Sequence, residues 1–210
     1  MLYVDLWGAR RKGDSAKAAI GRLRRHPAIV GELLALLEVL DDRAHVLTRQ
    51  IQDAREFPLT LHARYSQDEA LAAVGASTPE APRHIREGVF RDRQSGTDLF
   101  FVTLQKSDRE FSPSTRYRDF AISPTLFHWE SQSTTSVNSI TGRRYQSATA
   151  QPLLFVRRTK RTDAGLAAAF TYLGPATYVR HEGSLPMAIT WQLRHAMLAE
   201  LYEEAAVAAV

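Results

Sequence analysis

Between Ser123 and Ser136 the chain reads SPTLFHWESQSTTS, setting two large aromatics, a histidine, a carboxylate and an amide ahead of a run of hydroxyls. Three roles fit those side chains: the rim of an active site, a pocket for a planar base, and the polar end of a strand. On a strand successive side chains point to opposite faces, so Phe127, Trp129 and Ser131 share one side while His128, Glu130 and Gln132 share the other. One reading buries Phe127 and Trp129 and leaves the polar set in water. The pocket reading uses aromatic faces for stacking, with carboxylates and an amide for the Watson–Crick edge of a base. A carboxylate accepts from a cytosine N4 amine more selectively than a hydroxyl does. The pocket candidates are then Tyr117, Asp119, Phe120, His128, Trp129, Glu130 and Gln132, with the core reading the stronger one for Trp129.

A second stretch, RRYQSATAQPLLFVRRTKR from Arg143 to Arg161, carries six cationic side chains and no acidic one. As a solvated strand pair, its arginines only keep an edge from aggregating. As a phosphate-tracking surface, each neutralised phosphate releases counterions and makes affinity salt-sensitive. Such an imbalance over a short span favours phosphate contact. The phosphate candidates are Lys106, Arg116, Ser133, Thr134, Arg143, Arg144, Arg157, Arg158, Lys160 and Arg161, the hydroxyl run after Gln132 leading toward the same partner.

Several chemistries lack their motifs. No lysine follows a glycine, which excludes a Walker A phosphate loop. No carboxylate stands two positions before a lysine, so the usual pairing of a metal-dependent nuclease is missing. His181-Glu182 has no second histidine one helical turn on, and the remaining histidines have no metal-ligand spacing. A hydrolase drawing on His128, Asp119 and Ser131 or Ser133 lacks the Gly-x-Ser-x-Gly elbow. The expectation is a binding domain with no catalytic residues, no cofactor and no metal.

The elements that must position these residues follow from composition and periodicity. With 210 residues, 44% hydrophobic and 24% charged, the chain is long enough for one domain with an attachment. It has no run of apolar residues long enough to span a bilayer and no secretory signal at Met1–Ser15. Zero Cys and a net charge of +4 fit a cytoplasmic protein with an anionic partner. Apolar residues at Ile29, Leu33, Leu36, Leu37, Leu40, Val46 and Leu47 recur at helical spacing, predicting a helix over about Ala28–Glu56 and a helical attachment over residues 1–57. From Pro58 the texture changes. Ser66-Gln67-Asp68-Glu69 reads as a capping box opening a helix that stops at Gly75. Ile85–Phe90 and Leu99–Leu104 read as a hairpin around Ser95-Gly96. Further strands are expected at Tyr117–Ser123, Leu126–Gln132, Leu153–Thr159, Phe170–Tyr172, Thr177–His181 and Met187–Arg194, with a last helix over Met197–Ala209. Many short strands without βα alternation predict an α+β fold over residues 58–210: a curved, mostly antiparallel sheet or open barrel with a helical N-terminal attachment and a C-terminal helix.

Several ordered blocks resemble one family: Pro58-Leu-x-Leu-His62-x-x-Tyr65, Arg86-Glu-Gly-Val89, Asp98-Leu-Phe-Phe-Val-Thr-Leu-x-Lys106, Phe111-Ser-Pro-x-Thr-x-Tyr117-x-Asp119, Leu126-Phe-His-Trp-x-Ser-Gln132, Leu153-Leu-Phe-Val-Arg157 and Tyr172-Leu-Gly-Pro175. The family is the uncharacterised C-terminal domain of DEAD/DEAH-box helicase-like proteins, including SauUSI-type, modification-dependent (type IV) restriction enzymes that act in phage defence. The resemblance implies a target-recognition domain that binds double-stranded DNA and senses a modified base, 5-methylcytosine foremost, by base flipping. It implies an upstream nuclease and helicase motor, with residues 1–57 as the connector after that motor. A fold similar to the SRA modified-base readers, of the PUA-like class, is the accompanying expectation. The alternatives are a bracing or homodimerising module of the helicase, and a reader of another modification such as phosphorothioate.

Overall fold

The structure, a computed structural model, describes residues 8, 15–47, 57–105, 119–147 and 150–207, without the side chains of 41–47 and 207. Two helices come first, α1 (Ala16–Leu23) and α2 (Pro27–Leu47). Ser15 caps α1, its Oγ accepting the Ala18 N–H at 3.3 Å. Of the helix expected to Glu56, the described part runs to Leu47. Along it Ile29, Leu34, Leu36, Leu37 and Leu40 are all about half exposed or more.

The strands are β1 (Arg64–Tyr65), β2 (Val89–Asp92), β3 (Thr97–Thr103), β4 (Phe120–Ser123), β5 (Leu126–Glu130), β6 (Leu153–Arg157), β7 (Phe170–Glu182) and β8 (Ala188–Leu193). Helices α3 (Gln67–Ala73), α4 (Ile140–Tyr145) and α5 (Ala199–Val207) complete the fold. The sheet order is β2-β3-β6-β7-β8-β5-β4, with β1 added against β7. Every pairing is antiparallel except β3 with β6, where Phe100 faces Leu154 and Phe101 faces Phe155. The fold is therefore α+β with an open, mostly antiparallel eight-stranded sheet and a C-terminal helix, as the strand pattern predicted.

Central strands covered on both faces explain the unbroken apolar runs LFFV and LLFV. Phe100, Val102, Leu154 and Val156 point into one core with Phe127, Trp129, Trp191 and Tyr145. Their alternates Leu99, Phe101, Leu153 and Phe155 point into a second core with Leu71, Phe170 and Tyr172. The sheet must curl around the first core. Strands β3 and β5 stand four places apart, about 19 Å in a flat sheet, yet Phe100 and Trp129 stack with ring centroids 4.4 Å apart.

Two local devices produce this shape. Strand β7 was expected as two pieces, Phe170–Tyr172 and Thr177–His181, but it runs through Gly174-Pro175 because Gly174 takes a φ of +86°. Its first part pairs with β6 and its last with β8, and register shifts flank the change. The second device is α4, a six-residue helix with no counterpart in the sequence expectations. It packs so closely that a Cβ on Gly142 would stand 2.0 Å from the Ser136 carbonyl oxygen, so only glycine fits.

The capping box is present. Ser66 Oγ accepts the Glu69 N–H at 3.1 Å and the Glu69 carboxylate accepts the Ser66 N–H at 2.7 Å. Gly75, at φ +76°, ends α3 as expected, and α3 buries Ala70, Leu71 and Ala73 in the second core. The β2–β3 turn is tied by Asp92, whose carboxylate accepts the Ser95 N–H at 2.8 Å.

Candidate functional site

A cleft of about 810 Å³ opens where the ends of β5 and β6 approach the segment leading into β2. Asp119, Trp129, Glu130 and Gln132 line it, as do Arg157, Lys160 and Arg161 from β6 and the segment after it, Thr103 of β3 and Phe170 of β7.

Several lining residues are held by bonds of their own. Asp119, just before β4, is only 4% exposed, and its Oδ1 accepts the Glu130 N–H at 3.0 Å. The carboxylate is thereby fixed against the end of β5. Trp129 has one ring face covered by Phe100 and is 6% exposed, so the core takes most of it while a margin reaches the cleft. Phe127 is fully buried. On the cationic side, Arg157 donates from Nε to Thr103 Oγ1 and from Nη1 to the Ala168 carbonyl oxygen, both at 3.0 Å. Its guanidinium also lies 4.2 Å from the Phe170 ring centroid, a cation–π contact. The charge is thus presented from a pinned side chain. Arg161 is exposed and donates to the Gly165 carbonyl oxygen at 2.7 Å within the same loop.

Other candidates lie elsewhere. Phe120 and His128 are register partners across β4–β5 and stack on each other at 4.5 Å, neither lining the cleft. Alternation along β5 turns His128 away from the face of Trp129, and only at the strand end does Glu130 come round to Asp119. Ser133 and Thr134 are exposed in the turn after β5 and do not line the cleft. The cationic stretch divides three ways. Arg157, Lys160 and Arg161 reach the cleft; Arg158, one residue past the end of β6, does not line it and stands 3.4 Å from Gln105 Oε1 and 3.7 Å from the Glu204 carboxylate of α5. Arg143 is exposed on α4, whereas Arg144 forks onto buried Asp98 with two bonds of 3.0 Å. Asp98 also takes a 3.0 Å bond from Arg91, so Arg144 fastens α4 to the sheet. Lys106, Arg116 and Tyr117 lie outside the described residues.

Residues with no assigned chemistry also line the cleft. Arg86, Glu87, Gly88 and Val89, the short block ahead of β2, form part of its border. Gly88 approaches β3 closely. Its carbonyl accepts the Phe101 N–H at 2.7 Å, and a Cβ there would lie 3.1 Å from the Phe101 oxygen. The motif had been visible without a role, because a close backbone approach leaves no mark in local periodicity. Among the described residues, no group of three or more His, Asp or Glu side chains is disposed to hold a metal ion. Nor is any described helix long and apolar enough to cross a membrane.

In chemical terms, the cleft lining holds both hydrogen-bond acceptors and cationic donors. An amine-bearing planar group with an attached anion meets both at once. No curated protein matches the chain. One family does match, a domain of unknown function (DUF3427), over residues 59–205, a span that contains every strand and all of the named cleft. The chain belongs to the DUF3427 family.

Proposed function

We propose that the domain is a DNA target-recognition module that draws a modified base, 5-methylcytosine foremost, out of the duplex and into this cleft. One observation carries the reading: Asp119, Glu130 and Gln132 share a single cleft with Arg157, Lys160 and Arg161. The first set suits the amino edge of a cytosine and the second its phosphates. The volume of about 810 Å³ falls within the roughly 300–1,000 Å³ of small-ligand sites. Flipping a base costs a few kcal/mol, which stacking and a satisfied base edge must recover. The resemblance to the C-terminal domains of modification-dependent restriction enzymes supports the same reading, and an upstream nuclease and helicase motor are part of the proposal. The SRA-like, PUA-class comparison belongs to this proposal too, on the strength of the curled open sheet.

Matched duplexes with and without 5-methylcytosine, titrated against the protein at fixed salt, test the proposal. Tighter binding of the methylated duplex is expected, and Asp119→Ala should erode that preference more than overall affinity. Equal affinity for both duplexes sinks the reading. Hydroxymethylated and phosphorothioate duplexes in the same series identify a different modification if one of them binds tightest.

A second reading rests on α2. Its half-exposed leucines favour a bracing or dimerising role, in which this helix docks against the motor or another copy.

A further inference from the structure

The hairpin joining β7 to β8 ends in an unusual tip. Leu185 there adopts a φ of +75°, a left-handed conformation that a branched side chain resists, yet 58% of it is exposed. The strain is therefore not offset by burying the leucine. The tip is nevertheless built: Gly183 makes its own left-handed turn at φ +68°, and Ser184 Oγ accepts the Val137 N–H at 3.2 Å. Three residues on from Val137, Ile140 opens α4 and is 81% exposed, more than any other large apolar side chain among the described residues. Arg143 is exposed one helical turn further, on the same face of α4 as Ile140.

This corner is tied directly to the cleft. Ser131 donates its N–H to the Met187 carbonyl at 2.9 Å, and Met187 returns its N–H to Ser131 Oγ at 2.8 Å. Ser131 lies between Glu130 and Gln132, both in the cleft wall, while Met187 is two residues from Leu185. Chain geometry holds the Cα atoms of Leu185 and Gln132 within about 16 Å, roughly five base-pair steps.

We infer that Leu185, supported by Ile140, is an apolar wedge that enters the base stack at the place a flipped base vacates. The inference rests on the base-flipping reading of the cleft. Removing a base leaves neighbours unstacked and an orphaned partner, and proteins that distort DNA fill such gaps with Leu, Ile, Phe or Met. An apolar tip suits the stack, the adjacent Arg143 suits the phosphates that border it, and a tip held by Ser184 keeps the wedge at a fixed reach from the pocket.

Leu185→Gly is the informative variant, because glycine accepts the left-handed φ and so removes the side chain without harming the turn. Its melting temperature should equal or exceed that of the wild type. Binding is measured to a duplex carrying 5-methylcytosine beside a 2-aminopurine reporter, and to the same duplex with an abasic site opposite the methylated base. Expected are about tenfold weaker binding of Leu185→Gly to the fully paired duplex, a smaller loss on the abasic duplex, and a diminished rise in reporter fluorescence. Wild-type affinity of the variant for the paired duplex overturns the wedge while the methyl preference, if kept, leaves the cleft reading standing. Equal losses on both duplexes make Leu185 an ordinary surface contact and also overturn it. A wild-type protein that binds the methylated duplex no more tightly than its unmethylated counterpart defeats the cleft reading first, and the wedge with it.

Discussion

Arg157 and Arg158 are neighbours in sequence and do opposite work. Arg157, the last residue of β6, lines the cleft, where Thr103, Ala168 and Phe170 hold it, whereas Arg158, just past the strand, lies beside Gln105 and Glu204 and does not line it. Their substitutions should separate accordingly. Arg157→Ala is expected to weaken DNA binding regardless of sequence and to lower the slope of log affinity against log salt by about one. Arg158→Ala should leave that slope unchanged. Titrations across a salt series read the difference directly, and a slope moved equally by both substitutions places the phosphate path elsewhere. Residue types were legible from the sequence, since Asp119, Glu130, Gln132, Arg157, Lys160 and Arg161 were all nominated and do share one cleft. Burial and pairing were not legible. Nothing local tells that Arg144 is spent on Asp98, 46 positions away, or that His128 stacks on Phe120.

At the scale of elements, period-two alternation found β5 and β8, and turn chemistry found α3 and the β2–β3 hairpin, although its first strand is Val89–Asp92 rather than the expected Ile85–Phe90. Neither found α4, whose six residues are too few to show a helical period and whose docking depends on a tertiary contact at Gly142. The short connection into β1 shows a further effect of tertiary placement. His62 sits there at φ +63°, its N–H donating to the Tyr172 carbonyl of β7 at 2.8 Å. Burial holds its imidazole below the usual histidine range; a bond with the Ala196 backbone pulls the other way, and the nearby His195 adds to the lowering. The folded state thus binds its proton less readily than the unfolded chain does. Stability is complete above the ordinary value of 6.5 and falls as pH drops through it toward the lower folded value. Urea midpoints at pH 7.5 should exceed those at pH 5.5, and His62→Asn, which tolerates the left-handed φ, should narrow the gap. An unchanged gap in the variant assigns the acid sensitivity to other groups.

For the whole molecule, fold class followed from the number and spacing of short strands, whereas strand order did not, because partner choice is settled by packing rather than by propensity. The helical segment contributes the least expected feature. Its apolar residues recur at helical spacing as if for a core, but Leu34, Leu36, Leu37 and Leu40 leave about half or more of their surface in water. Such a surface drives association. Light scattering should show a mass that grows with concentration, and Leu37→Glu with Leu40→Glu should return the chain to a monomer without lowering its melting temperature. Monomeric wild-type protein at high concentration removes the dimerising version of the second reading.

The parallel pairing of β3 with β6 has a consequence for how the chain reaches this state. Thr103 and Arg157 lie 54 positions apart, yet their strands are neighbours in the sheet. Each has a nearer antiparallel partner, β2 for β3 and β7 for β6, but a loop of that size must close before the two pair with each other, and the entropy of closure is lost before burial compensates it. Strands β4 and β5 and helix α4 all belong to that loop. Because β3 and β6 supply both cores through alternate residues, neither core is complete until those two strands meet, and a chain that has not yet joined them leaves the apolar runs LFFV and LLFV open to association with other chains.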